Sequence, residues 1–136
     1  MKILVVENSP LIRRLICGTL ARAGISNVLQ ADSGRQALDH LAHEVPGLII
    51  IGLDLSGMSG LQFALRVRMS DDFGHVPMIM ISQKSTYADV LQAVKCGIDN
   101  YVVMPFPEDL LVSKVRQLAS ATPASAPSRT QPPFAL

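Results

Sequence analysis

Leu48 to Gly60 reads LIIIGLDLSGMSG. Its first four residues, Leu48 to Ile51, are all large and apolar, which predicts a strand covered on both faces, as in a parallel sheet. Beyond them the chain turns to Gly and Ser, which predicts a loop, and Asp54 stands in that loop. Open parallel sheets gather their chemistry beyond the carboxyl ends of the strands. The residues in this loop therefore decide which chemistry the chain can perform.

The flanking sequence repeats one pattern. Upstream, Ile3 to Val6 predicts a strand that ends in Glu7-Asn8. Ser9 and Pro10 supply an N-cap and a proline at the first helical position. Leu11 with Leu15, and Ile12 with Ile16, continue at helical spacing to Ala23, and Gly24 stops the helix. Asn27 to Ala31 predicts a weaker strand at a sheet edge. Asp32-Ser33-Gly34 turns into a helix with Ala37, Leu38, Leu41 and Val45 as its apolar stripe, ended by Pro46-Gly47.

Downstream, a helix starts near Gly60 with Phe63, Ala64 and Val67 inward, and Asp71 to His75 is a polar break. Pro77 opens a strand over Met78 to Ile81 that Ser82 closes. A helix over Thr86 to Cys96 turns Val90, Ala93 and Val94 inward, and Gly97 stops it. Tyr101 to Val103 predicts a fifth strand, ending at Met104-Pro105. Pro107, Glu108 and Asp109 open a last helix, where acidic residues suit the helix dipole, and Leu111, Val115 and Leu118 give it a face. Five strands alternating with five helices make a doubly wound parallel sheet. The carboxyl ends of strands one, three, four and five bring Glu7, Asn8, Gly52, Asp54, Ser82 and Met104 to one edge.

Composition narrows the function classes. The chain has 136 residues, enough for one domain with a sizeable core, and 49% of them are apolar. Twelve basic residues face eleven acidic ones, so there is no charge signature of nucleic-acid or membrane binding. No apolar run reaches bilayer length and no signal-peptide pattern opens the chain, so the expected location is the cytoplasm. Cys17 and Cys96 have no metal spacing and are expected to be reduced. From residue 120 to residue 136, Ser, Thr, Ala and Pro dominate, which predicts a flexible tail or a linker after a domain spanning residues 1–119.

Four spaced motifs carry a resemblance to the receiver domain of bacterial response regulators, the single-domain chemotaxis type included. ILVVENSPLIRRL resembles that family's acidic-pair segment, and LIIIGLDLSGMSG its phosphoacceptor strand and loop. PMIMIS resembles its fourth strand with a terminal Ser or Thr, and GIDNYVVMPF its fifth strand and Lys-Pro turn. The resemblance covers about Met1 to Leu118. It implies a flavodoxin-like (βα)5 fold with strand order 2-1-3-4-5.

It also implies a site in which two acids organise Mg²⁺, an Asp accepts a phosphoryl group, a Ser or Thr binds the phosphate and a Lys neutralises charge. A carboxylate nucleophile and an anionic phosphoryl group repel each other unless a metal and a cation hold them. Carried over residue by residue, Glu7 matches the first acid and Ser82 the hydroxyl. Asn8 stands where a metal-binding Asp belongs, Gly52 at the acceptor position and Met104 in place of the Lys. The register of Gly52 follows from Met58 and Gly60, which fit the loop after the acceptor, and from Pro46, which fits the residue opening the third strand.

These departures imply a degenerate pseudo-receiver with no catalytic residue and no cofactor, in which Mg²⁺ binding is weak or absent. Lys to Met exchanges a point charge for an adaptable apolar filler, which is expected to favour a closed, drier pocket. Asp54, two residues beyond the acceptor position, has two readings: a displaced phosphoacceptor or a solvated loop carboxylate. The first requires a nucleophile misplaced by several ångströms, whereas an error of ~1 Å costs about a hundredfold in rate.

Ser82 and Tyr101 stand at the family's switch pair, in which phosphate draws the Ser/Thr loop inward and the aromatic ring follows. The resemblance then implies protein partners, such as a histidine kinase, an output domain or another regulator of a two-component pathway. They would dock on helix four, strand five and helix five, and a homodimer through that face is compatible with it. The remaining candidates are a nucleotide second messenger held by Arg13, Arg14, Arg22 or Arg35, and a metal at His40 and His43. Scattered arginines and a solvated helix face account for these residues more simply. Flavin binding would need a Ser/Thr/Gly-rich loop after strand one, which Glu7-Asn8-Ser9-Pro10 is not.

Overall fold

Leu48 and Ile50 face one apolar layer of the protein, and Ile49 and Ile51 face another. This division explains the uninterrupted apolar run: successive residues of a strand point to opposite faces, and here both faces are covered. The computed structural model describes residues 1–119. In chain order its elements are β1 (Ile3–Val6), α1 (Pro10–Arg22), β2 (Val28–Ala31), α2 (Gly34–His43), β3 (Leu48–Gly52), α3 (Gly60–Arg68), β4 (Met78–Ser82), α4 (Tyr87–Lys95), β5 (Asn100–Val103) and α5 (Glu108–Ala119). The strands form one parallel sheet in the order β2-β1-β3-β4-β5. This is the flavodoxin-like arrangement that the alternation and the resemblance imply.

The sheet separates two cores. Phe63, Ala64 and Val67 of α3, with Ala37 and Leu41 of α2 and Ala93 of α4, pack on Ile49, Ile51, Met78 and Met80. On the other face Ile16 and Leu20 of α1, with Leu111 and Val115 of α5, pack on Leu48, Ile50, Ile79 and Ile81. The central strands β1, β3 and β4 are buried throughout, whereas the edge strands β2 and β5 are only partly covered.

Helix starts follow the capping chemistry. Ser9, Ser33, Ser59 and Thr86 each accept a backbone N–H of the first turn, and α3 and α4 close with capping boxes through Gln62 and Asp89. At the base of the sheet Arg68 donates to the carbonyls of Gly74, Val76 and Gly97 and pairs with Asp99 at 2.8 Å, tying the end of α3 to the starts of β4 and β5.

Three expectations need correction. Val45 lies past the end of α2 and is exposed, because the helix stops at His43 and the chain extends at Glu44. On α1 the two apolar rows separate: Ile12 packs on the core and Ile16 is buried within it, while Leu11 and Leu15 face outward, Leu11 at 74% exposure. On α4 only Ala93 is buried, and Val90 and Val94 stay half-covered at the side of the sheet. The tail expected over residues 120–136 lies outside the described residues.

Candidate functional site

Parallel register aligns the strand ends that build the site. Val6 pairs with Ile51, Gly52 with Ile81 and Ser82 with Val103, so the residues following these pairs emerge side by side. Above them lies a cavity of about 320 Å³ whose polar lining includes Glu7, Asn8, Asp54, Ser82 and Lys84. Ile12, Leu53, Ile81 and Met104 supply its apolar wall. Of the six residues expected at this edge, five line the cavity. The sixth, Gly52, is buried at the end of β3 behind Glu7.

Glu7 is the buried acid of the site, with 7% of its surface exposed. Its Oε2 accepts the Ser9 N–H at 2.8 Å, and its backbone carbonyl accepts Nη1 of Arg13 at 2.7 Å. A Cβ built on Gly52 would overlap Oε1 of Glu7 and stand 3.0 Å from its Cδ. The carboxylate thus occupies the space that a side chain at residue 52 would need. Burial raises the pKa of Glu7, and the charge of Asp54 adds to the rise. The Ser9 N–H and the Arg13 guanidinium oppose it without cancelling it.

Asn8 is exposed at the cavity rim. Asp54 is exposed too, its loop fixed by a backbone bridge between residues 54 and 59 and by the Gly60 N–H donating to the Leu53 carbonyl at 2.6 Å. Met104 precedes a cis proline, Pro105, and packs against the core on the α1 and α5 face of the sheet. It lines the cavity without filling it, so the pocket is not closed as expected of an apolar filler.

Ser82 and Tyr101 are joined through a residue that the sequence did not single out, Lys84. The Lys84 N–H donates to Ser82 Oγ at 3.0 Å, and the Tyr101 hydroxyl donates to the Lys84 carbonyl at 2.8 Å. The ring of Tyr101 is half-buried beside a second cavity of about 190 Å³ that Asp54, Lys84 and Asp89 also line, and burial raises its pKa. Both contacts use backbone atoms of Lys84, so its residue type carried no signal for them.

The donor set does not fit the Mg²⁺ that the resemblance implies. That ion asks for several oxygen ligands in near-octahedral geometry, carboxylates first. Here Glu7 is engaged by Ser9 and turned onto Gly52, Asn8 is neutral, and no group of three or more His, Cys, Asp or Glu side chains able to hold a metal exists among the described residues. None of Arg13, Arg14, Arg22 or Arg35 lines the cavity. Arg22 pairs with Glu108, and Arg13 is spent on Glu7 and Gln30. Nε2 of His40 is buried without a hydrogen-bond partner among the described residues, so this part of α2 is not the solvated face expected of it. Cys17 and Cys96 are both free thiols. Among the described residues no helix is long and apolar enough to cross a membrane.

Comparison with known proteins agrees with this architecture. Residues 3–116 match the response regulator receiver domain. The chain is 37% identical over 116 residues to chemotaxis protein CheY1 of Helicobacter pylori, covering 85% of this chain and 94% of the relative. It is 35% identical over 119 residues to the chemotaxis protein CheY homolog of Campylobacter jejuni, covering 87% and 92%. Among solved structures it resembles chemotaxis response regulator CheY4 of Vibrio cholerae with a TM-score of 0.79 at 26% identity, covering 86% of this chain and 97% of that one. A match of this extent, on a sheet of this order with its strand ends meeting at one pocket, makes the chain a member of the response regulator receiver domain family.

Proposed function

We propose that this receiver is a phosphorylation-independent signalling module of a two-component or chemotaxis-type pathway, non-enzymatic, cytoplasmic, and acting through protein–protein contact. One observation carries the reading: the strand ends that meet at the pocket bring the carboxylates of Glu7 and Asp54 but no side chain from residue 52 and no cation from residue 104. Transfer to a carboxylate needs a placed nucleophile and a cation facing the incoming charge. Residues 52 and 104 supply neither, Lys84 reaching the cavity from the loop after β4 instead, and Mg²⁺ binding is weak.

The state of the switch pair supports the same reading. Phosphate would draw the Ser82 loop inward; here that loop is already held, through Lys84, by Ser82 at one end and Tyr101 at the other. The module is therefore set with Tyr101 turned in. Its partner face is α4, β5 and α5, where Tyr87, Val103 and Leu110 are exposed apolar residues along a sheet edge. A histidine kinase, an output domain or another regulator are partners of the fitting kind.

Asp54 lines the same cavity, which gives phosphotransfer to a displaced carboxylate its one supporting observation. Intact mass after incubation with acetyl phosphate and Mg²⁺ separates the two readings. The expected result is an unchanged mass. Gain of one phosphoryl group, abolished by Asp54→Ala, would overturn the proposal.

A further inference from the structure

The Glu7 carboxylate and the bare Cα of Gly52 fit each other too closely to be described only as a missing group. Gly52 is buried at the end of β3 and pairs with Ile81, so its position is fixed by the sheet. Glu7 follows β1, and its N–H donates to the Ala31 carbonyl at 3.0 Å, so its backbone is fixed as well. Between these two fixed points the carboxylate lies against residue 52. A Cβ there would overlap Oε1, stand 3.0 Å from Cδ and 3.5 Å from Oε2. Oε2 is held from the other side by the Ser9 N–H at 2.8 Å. Oε1 thus lies against residue 52 and Oε2 is engaged by Ser9, at the floor of the cavity in a residue 7% exposed.

We propose that Gly52 is a seat for the Glu7 side chain, and that this seating withdraws the pocket's one buried carboxylate from divalent cations. The absence of a side chain at residue 52 then has two separate effects. It removes a nucleophile, and it also creates the room in which the Glu7 carboxylate lies against the strand end. The second effect rests on the geometry of Glu7 alone and holds whether or not Asp54 accepts phosphate.

An uncharged change should consequently create cation affinity. Gly52→Ala adds only a methyl group, but that methyl claims the position of Oε1. The obstacle is the far end of a flexible side chain, so Glu7 rotates while the sheet stays. Its carboxylate then faces the cavity alongside Asp54 and the Asn8 amide oxygen, a hard-oxygen set better suited to a divalent cation. Glu7→Asp should act in the same direction from the other partner. Its side chain is one methylene shorter, cannot reach the seat, and keeps its carboxylate at the cavity.

The test uses the full chain and Mn²⁺ as the probe, read by paramagnetic broadening of backbone amide resonances near Asn8 and Asp54, with Mg²⁺ titration in parallel. In the wild type, Glu7→Gln should weaken the Mn²⁺ response only through the loss of a nearby charge, and far less than it does in the Gly52→Ala background, because Glu7 is not a ligand there. Gly52→Ala and Glu7→Asp should each bind Mn²⁺ at least about tenfold more tightly, the scale on which groups orienting a ligand act. Adding Glu7→Gln to Gly52→Ala should erase the gain. The proposal is overturned if Glu7→Gln weakens Mn²⁺ binding as strongly in the wild-type background as in Gly52→Ala, or if folded Gly52→Ala binds no better than wild type. Should Gly52→Ala fail to fold, Glu7→Asp decides alone, and an unchanged affinity in that variant overturns it equally.

Discussion

The hydroxyl of Tyr101 donates to the backbone carbonyl of Lys84 at 2.8 Å, across from β5 to the loop that follows β4. The N–H of the same Lys84 donates to Ser82 Oγ at 3.0 Å. One peptide segment is thus pinned on both sides by side chains from two neighbouring strands. Neither bond requires a ligand in the pocket, so the loop is ordered by the chain's own groups.

Tyr101→Phe keeps the ring and removes only the donor. A neutral hydrogen bond contributes about 0.5–1.5 kcal/mol net, which corresponds to a roughly two- to tenfold change in a local opening equilibrium. Hydrogen exchange of the amides at residues 84–86 should accelerate by that factor, with global stability nearly unchanged. Ser82→Ala should produce a similar acceleration by freeing the other end. Unchanged protection in both variants would show that other contacts hold the loop.

Gly60→Ala should destabilise the fold although alanine is the better helix former. A Cβ at residue 60 would overlap the carbonyl oxygen of Gly52 and come 3.1 Å from its carbon and from Cε of Met80. The helix-propensity gain is at most about 1 kcal/mol and shrinks at a first helical position. The overlap is with strand backbone, which cannot rotate away, and overpacking of this kind costs about 1–3 kcal/mol. Urea unfolding should show Gly60→Ala less stable than both wild type and Gly52→Ala, whose obstacle is a side-chain tip. A Gly60→Ala protein as stable as Gly52→Ala would contradict the geometry.

Burial raises the pKa of Glu7 above its ordinary value. The folded state therefore binds this proton more tightly than the unfolded state does. The stability contributed by the group is fully present below the unfolded pKa and is lost as pH rises through the folded one. Glu7→Gln removes the titration while its amide oxygen still accepts the Ser9 N–H. Its melting temperature relative to wild type should rise as the pH increases above about pH 4, a window that begins at the ordinary carboxylate range. A relative melting temperature that falls over that window would reverse the sign of the argument.

The sheet was readable in the sequence because burial leaves its mark on residue type. Leu48 to Ile51 have no polar member since both faces are covered, and Pro10, Pro46 and Pro77 each stand at an element boundary. Helix phase was less readable. Leu11 and Leu15 lie one row from Ile12 and Ile16 on the same helix, and only tertiary packing chooses which row turns in. Five of the six pocket positions follow from strand ends alone, because parallel register brings successive ends together. The inward turn of Glu7 was not readable. It depends on the free space at Gly52, a neighbour 45 positions away in the chain, and no local pattern encodes which rotamer fills a gap.

Arg68→Met tests the opposite end of the sheet. The guanidinium serves the carbonyls of Gly74, Val76 and Gly97 and pairs with Asp99, whose Oδ2 also accepts the Met78 N–H at 2.8 Å. Both charged side chains are mostly covered, at 14% and 21% exposure, and breaking a buried pair costs about 3–5 kcal/mol. The partial exposure and the remaining Met78 contact put the expected loss near ~3 kcal/mol, measured by urea unfolding. Restoring the apolar stem without the charge isolates the polar contribution. A loss below about 1 kcal/mol would mean that water replaces the guanidinium at these carbonyls.

Asn8→Asp, Gly52→Asp and Met104→Lys together should give a protein that takes one phosphoryl group from acetyl phosphate in the presence of Mg²⁺ and loses that ability with EDTA. Gly52→Asp is necessary because it supplies the nucleophile, and it also displaces Glu7 from its seat into the cavity. Alone, however, it places a third carboxylate beside Glu7 and Asp54 with no facing cation from residue 104, so the single variant should be less stable than wild type and unreactive. Met104→Lys answers that charge, and Asn8→Asp supplies the second metal carboxylate, so the three changes should be strongly non-additive in both stability and phosphorylation. A folded triple variant that still rejects acetyl phosphate would place the divergence beyond these positions. The first suspect would then be the Ser82–Lys84–Tyr101 contact, which holds the loop in place before any phosphate arrives.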